Sequence, residues 1–279
     1  MSHAITRFPD SGLPGWAAED LAALAAAARL LEHPSLAARL ANKLGSPIES
    51  GIRKLPKGWQ EKVQRASQAA LQQALALALK TIGAKPSRFP SLARKLHGAA
   101  VAGTGAVGGA FGLLALPVEL PITTGIMLRS IAKIAQSEGE NLAQPEARLA
   151  CIEVFALGGP SPKDDAAESG YFAARAALAG AMGEASRFLV EKGLAEPGAP
   201  VLVRFVARIA QRFSVQVSEK AAAEFVPILG AAGGATINVV FIDHFQSMAR
   251  GHFAVRRLER KYGQGAVRAA YASLRQRSR

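Results

Sequence analysis

The features that most constrain this chain are two long stretches that carry no charge and consist largely of small residues. The first runs from Gly98 to Val118 and the second from Phe225 to Ile242. Each contains one copy of a GAxGGA pattern, at Gly105–Ala110 and at Gly230–Ala235. Small side chains allow two helices to approach backbone to backbone. The pattern therefore predicts two central Gly-rich helical segments, buried and packed together as a glycine zipper.

Two other interpretations of the first stretch stay open. Its 21 residues are long enough to cross a bilayer. Only seven of them are large and apolar, and glycine and alanine drive membrane insertion weakly. Gly103–Gly108 also matches the G-x-G-x-x-G pattern of dinucleotide-binding loops, but no second strand follows and the nearest downstream acid, Glu119, comes too early. The residues favour the zipper, then the membrane span, and they predict no cofactor.

The rest of the chain predicts helices, because no stretch alternates apolar and polar residues as a strand does. Aromatic residues make up only 6%, which suits closely packed helices better than a β-sandwich. Helices are predicted over Trp16–Glu32, Pro56–Gly83, Ile122–Glu138, Pro145–Leu157, Asp164 or Asp165 to Met182, around Val203, around Lys220, and over Gly230–Tyr262. The predicted fold class is all-α, a single large helical domain.

A basic, proline-containing connector from Lys85 to Pro90 divides the sequence. It separates residues 1–84, predicted as an N-terminal helical subdomain, from residues 91–279, predicted as the helical core. A chain of this length also fits one continuous domain.

The positive charge is concentrated near the C-terminus. Net charge is +13, and nine basic residues accompany one acid between Arg250 and Arg279. Such a tail can face anionic lipid, nucleic acid or an acidic protein, or can be a solvated helix face. Only Tyr262 and Tyr271 interleave with the charges, which argues against nucleic acid. The N-terminus lacks the pattern of a signal peptide and Cys151 is the only cysteine, so a cytoplasmic location is expected.

A polar stripe lies on the last predicted helix. At about 100° per residue, His252, Arg256 and Glu259 share a face with Phe241, so this face is expected to be buried. Buried charges must be paired, and Arg256 and Glu259 are spaced to pair within the helix. Glu119, isolated between two prolines after the first uncharged stretch, also needs a partner. We expect it to contact His252 or Arg256.

This polar cluster has two interpretations. It can be a structural clamp between the two Gly-rich segments, or an active site in which His252 or Glu119 is the acid or base and Arg256 binds an anion. The candidate catalytic residues are therefore Glu119, His252, Arg256 and Glu259. His244 lies on another face, so no metal site with two histidines is expected in this helix, and Cys151 is predicted to be an inert core thiol.

Four long blocks follow one another along the chain: LPVELPITTGIMLRSIAKIAQSEGE (Leu116–Glu140), CIEVFALGG (Cys151–Gly159), ESGYFAARAAL (Glu168–Leu178) and VPILGAAGGATINVVFIDHFQSMARGHFAVRRLERKYG (Val226–Gly263). In this order they resemble the EcsC family. The resemblance implies a bacterial helical protein that is cytoplasmic or membrane-associated. The family takes its name from a protein encoded beside an ABC exporter, and it supplies no catalytic residues to carry over.

The leading hypothesis is a non-enzymatic protein, peripheral at the inner face of the membrane, that binds anionic lipid or a membrane-transport partner. The alternative is an enzyme that acts on an anionic or lipid-like substrate through Glu119, His252, Arg256 and Glu259. Neither hypothesis calls for a metal or cofactor.

Overall fold

Helices dominate the part of the chain that the computed structural model describes. This part comprises residues 15–32, 35–44, 51, 55, 57–81, 116–159, 170–193, 197–224 and 230–277. It contains nine α-helices, a 3₁₀ turn over Val154–Ala156 and no strand, so the predicted all-α class is confirmed. The α-helices are α1 (Ala18–Glu32), α2 (Leu36–Leu44), α3 (Trp59–Thr81), α4 (Leu116–Ser137), α5 (Pro145–Glu153), α6 (Gly170–Lys192), α7 (Pro200–Glu224), α8 (Gly230–Tyr262) and α9 (Gln264–Arg277).

The clearest sequence signals give the correct helix boundaries. α8 begins at Gly230 and ends at Tyr262, as predicted. Gly263 follows with a φ of 85°, a conformation that glycine adopts without the strain of a side chain. α3 buries the apolar face predicted from its helical period, from Val63 to Ala78.

Two helices differ in extent from the prediction. The regions around Val203 and Lys220 form one helix, α7, rather than two. α6 continues through Gly183 to Lys192 instead of ending near Met182. An exposed glycine costs a helix only about 1 kcal/mol relative to alanine, and the burial of Leu189 in the following turn offsets that cost. The predicted caps Asp164 and Asp165 lie outside the described residues.

α4 is already helical at Leu116, six residues before the predicted start, and it contains Pro121. Prolines are tolerated at a helix start because the first four N–H groups have no partner within the helix. Pro121 therefore forfeits one hydrogen bond, to the carbonyl of Pro117. The first turns of α4 carry Glu119 towards the core, where it is 5% exposed.

Contacts between side chains fix the direction of the central helices. Lys220, near the end of α7, bonds to Glu119 at the start of α4 and lies 5.9 Å from the ring centre of Phe241 in α8. At the other end, Arg257 of α8 bonds to Glu138, just after α4. α4 and α8 are therefore parallel, and α7 runs antiparallel to both. We call the level of Glu119, Lys220 and Phe241 the glycine-rich end, and the level of Glu138 and Arg257 the ionic end.

The remaining helices surround this centre. α1 packs against α8, α2 against α7 and α8, and α3 against α4 and α7. α6 packs against α7, and α9 covers α8 and α1. Helices from the predicted subdomain 1–84 thus pack on helices from the predicted core 91–279. The division between these two parts stays a prediction.

A close helix contact occurs at a glycine that the zipper pattern did not include. A Cβ atom on Gly251 would lie 2.6 Å from Cγ of Leu31 and 3.1 Å from the carbonyl oxygen of Ala27. The absence of a side chain therefore lets α8 approach α1. The first GAxGGA copy lies outside the described residues, and so does the predicted packing of the two Gly-rich segments.

No helix in the part of the chain that the structure describes combines the length and the apolar character needed to cross a membrane. Most of Gly98–Val118, the stretch that was predicted as a possible membrane span, lies outside that part.

Candidate functional site

A buried lysine joins two carboxylates at the glycine-rich end. Nζ of Lys220 lies 2.8 Å from Oε1 of Glu119 and 2.6 Å from Oε1 of Glu224, one helical turn further along α7. The three side chains are only 2%, 5% and 6% exposed, respectively. We call these three residues the lysine cluster. It ties the first turn of α4 to the last turn of α7.

The lysine cluster places one positive charge between two negative charges in a protein interior. Burial alone would lower the pKa of Lys220, but the charges and hydrogen bonds of Glu224 and Glu119 raise it above its usual value. Burial raises the pKa of Glu224, against the lowering effect of Lys220. The ammonium is therefore held charged. Removing it would leave two buried carboxylates without a counter-charge.

The prediction that Glu119 contacts His252 or Arg256 is wrong. Glu119 pairs with Lys220, which lies beside the Phe241 ring. His252 is eleven residues further along α8 than Phe241, or about 16 Å along the helix axis. The four candidate residues therefore do not form one cluster, because Glu119 lies at the opposite end of the bundle from the other three.

The polar stripe on α8 is buried, as predicted, and its partners come from other helices. Nδ1 of His252 lies 3.0 Å from the hydroxyl of Tyr171, and Nε2 lies 3.7 Å from Oε2 of Glu153. Arg175 donates two hydrogen bonds to Glu259, at 2.7 and 3.0 Å, and a third to the Tyr171 hydroxyl at 3.3 Å. We call these five residues the histidine cluster. His252 is fully buried, and the Glu259 side chain is 8% exposed.

The hydrogen-bond pattern assigns the proton positions in the histidine cluster. Arg175 can only donate, so the Tyr171 hydroxyl accepts from it and donates to Nδ1 of His252. The imidazole proton then sits on Nε2, facing Glu153. Burial, together with the charges of Arg175 and Arg256, holds the pKa of His252 well below its usual value. Burial raises the pKa of Glu153 and that of Tyr171.

Arg256 pairs away from its own helix. It donates to Glu140 at 2.8 and 3.2 Å, and its guanidinium lies 3.5 Å from Glu146. The expected pairing of Arg256 with Glu259 within α8 is therefore wrong, since each has a partner on another segment. The Arg256 side chain is 16% exposed. Burial lowers the pKa of Arg256, but the hydrogen bonds and charge of Glu140, together with the charges of Glu153 and Glu146, raise it overall.

Tyr171, His252 and Glu153 contact one another in a row that resembles an acid–base relay, but their burial limits their access to a substrate. Tyr171, His252 and Glu153 are each at most 4% exposed. The raised pKa of Tyr171 and the lowered pKa of His252 keep both groups neutral near pH 7. A substrate could reach them only if the helices separated. The geometry can hold three helical segments together, and it supports the structural interpretation better than the catalytic one.

The remaining candidate groups on these helices are also part of the core. Gln216 donates to the carbonyl of Leu157 at 2.5 Å, and its amide lies 3.4 Å from Nε2 of His244. Burial lowers the pKa of His244 to about 3 and raises that of Cys151 to about 12. Both are fully buried, and Cys151 carries a free thiol. Cys151 is an inert core thiol, as predicted.

The basic C-terminal region is partly neutralised by acids from other segments. Asp20 accepts hydrogen bonds from Lys261 at 2.6 Å and Arg257 at 3.2 Å. Glu140 accepts from Arg256 and from Arg260, and Arg250 lies 3.6 Å from Asp243. In the described part of this region, at least five basic residues are therefore in ion pairs: Arg250, Arg256, Arg257, Arg260 and Lys261.

Sequence reasoning missed Glu140, the partner of Arg256, and the residues that complete the two clusters: Lys220, Glu224, Tyr171, Glu153 and Arg175. One signal could have found Lys220. It continues an apolar stripe on α7 that contains Ile209, Phe213 and Val217, and all of these residues are buried. A lysine in such a stripe requires a buried carboxylate, and Glu224 follows one turn later. The second carboxylate, that of Glu119, could be identified only from the fold.

Comparison with known proteins gives the family. The model of the EcsC protein family matches residues 34–258, which include the whole lysine cluster and, except for Glu259, the histidine cluster and the four candidate residues. No curated protein and no solved structure matches the chain. The match covers most of the chain and agrees with the resemblance of its sequence blocks. This chain belongs to the EcsC protein family.

Proposed function

We propose that this protein is non-enzymatic and works at a membrane surface, with its glycine-rich end towards the membrane. The observation that carries the proposal is the parallel direction of α4 and α8. The two uncharged stretches, 98–118 and 225–242, lead into these two helices. Because the helices are parallel, both stretches lead into the same end of the bundle. Uncharged segments brought to one end favour an apolar environment there.

The pairing of the buried charges supports a non-enzymatic role. Lys220 has two carboxylate partners, Arg175 has a bidentate one, and Arg256 is bonded to Glu140. Apart from Lys220–Glu224, which lies within α7, each pair joins segments that are far apart in the chain. Such pairs rigidify a bundle built from small residues, where apolar contacts alone bury little area.

The enzyme alternative is less well supported. It needs a group that can exchange a proton with a bound substrate. His252 is fully buried and Glu119 is 5% exposed, and they lie at different ends of the bundle. A catalytic role for His252, Arg256 or Glu259 would have to use the histidine cluster alone, after a movement that opens it.

Fractionation of cells that express the untagged protein tests the proposal. We expect the protein in the membrane pellet, and we expect high salt or alkaline carbonate to release it without detergent. Recovery of the protein entirely in the first supernatant would contradict the membrane role. A hydrolytic or transfer activity that disappears in a His252→Gln variant with unchanged melting temperature would favour the enzyme alternative.

A further inference from the structure

We infer that the glycine-rich end docks onto anionic bilayers, with an apolar tip entering the interface and a basic collar facing the lipid headgroups. This inference rests on the proposed function. Five large apolar side chains are exposed in the described part of the chain, and four of them lie near the glycine-rich end. These four, which we call the apolar tip, are Val118, Ile122, Val215 and Val239, with exposures of 69%, 44%, 40% and 59%.

The position of the tip follows from neighbours in the chain. Val118 precedes Glu119 directly, and Val239 precedes Phe241 by two residues. Val215 is five residues before Lys220, about 8 Å along the axis of α7. The four side chains therefore come from three helices and lie within about 10 Å of one level. Scattered exposed valines are ordinary on protein surfaces, but this concentration at one end is not.

The basic collar lies further from the end on the same helix faces. On α4, exposed Arg129 and Lys133 follow Ile122 at spacings of seven and then four residues, which keeps them on one helical stripe with Val118. On α7, exposed Arg208 and Arg204 precede Val215 at the same spacing. Arg204 also lies 3.9 Å from Glu184, on a mostly exposed pair. We call Arg129, Lys133, Arg204 and Arg208 the basic collar.

The separation of tip and collar matches the layers of a bilayer surface. Ile122 and Arg129 are seven residues apart, and so are Val215 and Arg208, which corresponds to about 10 Å along each axis. An apolar surface that lies at the headgroup boundary enters by roughly 5–10 Å. Arg129 and Arg208 would then stand within one Debye length, about 10 Å at 0.1 M salt, of the anionic headgroups. Lys133 and Arg204 lie one helical turn further along each axis.

Acidic groups near the tip do not cancel this pattern. Glu119 and Glu224 are buried and bonded to Lys220. Asp243, on the outer face of α8, pairs with Arg39 and Arg250. Glu219 is half-buried. Burial raises its pKa to about 7, although a hydrogen bond from the backbone N–H of Ala37 acts in the opposite direction.

A lipid bilayer fits these observations better than a protein partner does. α4 and α7 run in opposite directions, yet on both helices the exposed side chains change from apolar to basic with distance from the glycine-rich end. A bilayer presents that order, apolar then anionic, to every side of an inserted tip. A membrane-transport protein is the other candidate, and the experiment separates the two.

The test compares binding to phosphatidylcholine vesicles with binding to vesicles that also contain phosphatidylglycerol, by co-sedimentation. Two variants change the tip and collar, Val118→Asp and the double variant Lys133→Glu with Arg208→Glu. The control variants Val190→Asp and Lys192→Glu lie in the last turns of α6, at exposed positions. Val190 is 71% exposed, close to the value for Val118. The ion pair of Glu184 with Arg204 places this part of α6 near the start of α7, and Lys220 is about 30 Å along α7 from Pro200.

We expect wild type to bind the anionic vesicles, with binding that fades towards 1 M salt. The collar variant should bind at least about fivefold more weakly, because each basic residue near such a surface contributes a factor of this size. The tip variant should also bind more weakly, because it places a carboxylate where an apolar side chain would enter the bilayer. The controls should match wild type, and melting temperatures should confirm that all variants fold.

Two results would overturn the inference without touching the proposed function. One is equal binding by tip, collar and control variants. The other is a protein found in the membrane fraction of cells that binds neither vesicle type, which would assign the end to a membrane-protein partner. Absence from membranes in both assays would instead remove the proposed function itself.

Discussion

Lys220 donates a hydrogen bond to Glu119 across 2.8 Å, although the two residues are 101 positions apart in the chain. This contact joins the end of α7 to the start of α4 and fixes both helices beside α8. The same ammonium also binds Glu224. A single lysine thus organises the end of the bundle into which the two uncharged stretches lead.

Replacing this lysine should destabilise the fold strongly. Lys220→Met leaves Glu119 and Glu224 buried without a counter-charge, which costs about 3–5 kcal/mol when one partner of a buried pair is removed. Chemical denaturation measures the loss. Lys62→Met, at an exposed position on α3, is the control and should change stability by less than about 0.5 kcal/mol. Equal effects for the two variants would contradict the role of the lysine cluster.

The contact between α1 and α8 should respond to a single methyl group. Gly251→Ala places a Cβ atom 2.6 Å from Leu31 and should destabilise by about 1–3 kcal/mol. Gly180→Ala is the matched change at a helical glycine with open space around it, and it should stabilise by up to about 1 kcal/mol. Thermal melting of both variants gives the signs, and a stabilised Gly251→Ala variant would rule out the close contact.

The buried histidine should make stability fall in mild acid. The lowered pKa of His252 keeps the imidazole neutral in the folded state, whereas in the unfolded chain it takes up a proton below its ordinary pKa of 6.5. Stability is therefore lost as pH falls below about 6.5. Between pH 6.5 and pH 5, the free energy of unfolding of wild type should fall by about 2 kcal/mol more than that of the His252→Gln variant.

Tyr171→Phe provides the control for this pH effect. It removes a hydrogen bond to His252 but retains the titrating ring. Its stability should be lower at every pH, with the slope of wild type. A His252→Gln variant whose stability follows the same pH profile as wild type would contradict the buried neutral imidazole.

Glu219 should have the opposite pH dependence. Its pKa is raised from 4.5 to about 7, so the folded state holds its proton more tightly than the unfolded state does. Ionisation of Glu219 then lowers stability as pH rises through this window. Glu219→Gln should stabilise on the order of 1 kcal/mol at pH 8 and have little effect at pH 4. Glu191→Gln, at an exposed site on α6, should give no such difference.

The sequence predicted which helix faces are buried much better than it predicted their partners. The period of α8 placed His252, Arg256 and Glu259 on one inward face, and all three are at least mostly buried. Helical spacing carries that information locally. Helical spacing does not tell which residues of a neighbouring helix lie beside a given residue. Glu119 was therefore assigned to the wrong end of α8, because the assignment needs the direction of α4.

The local signals also misjudged interruptions. Pro121 was interpreted as lying before a helix, yet α4 includes it, since a proline near a helix start loses a single bond. Gly183 did not end α6, because apolar residues on both sides of it are buried against other helices. In each case tertiary packing outweighed a local preference of about 1 kcal/mol to a few kcal/mol.

A fluorescent label at the tip measures the central claim most directly. A polarity-sensitive dye is attached to Val118→Cys or to Val190→Cys, and the emission is recorded as phosphatidylglycerol-containing vesicles are added. Cys151 should not react, because it is fully buried and its pKa is raised to about 12.

We expect emission from position 118 to shift to shorter wavelength, as the dye leaves water, while emission from position 190 stays unchanged. The two sites are almost equally exposed, at 69% and 71%, so exposure alone cannot produce the difference. Unchanged emission at position 118 on vesicles that bind the protein, or equal shifts at both positions, would contradict docking through the glycine-rich end.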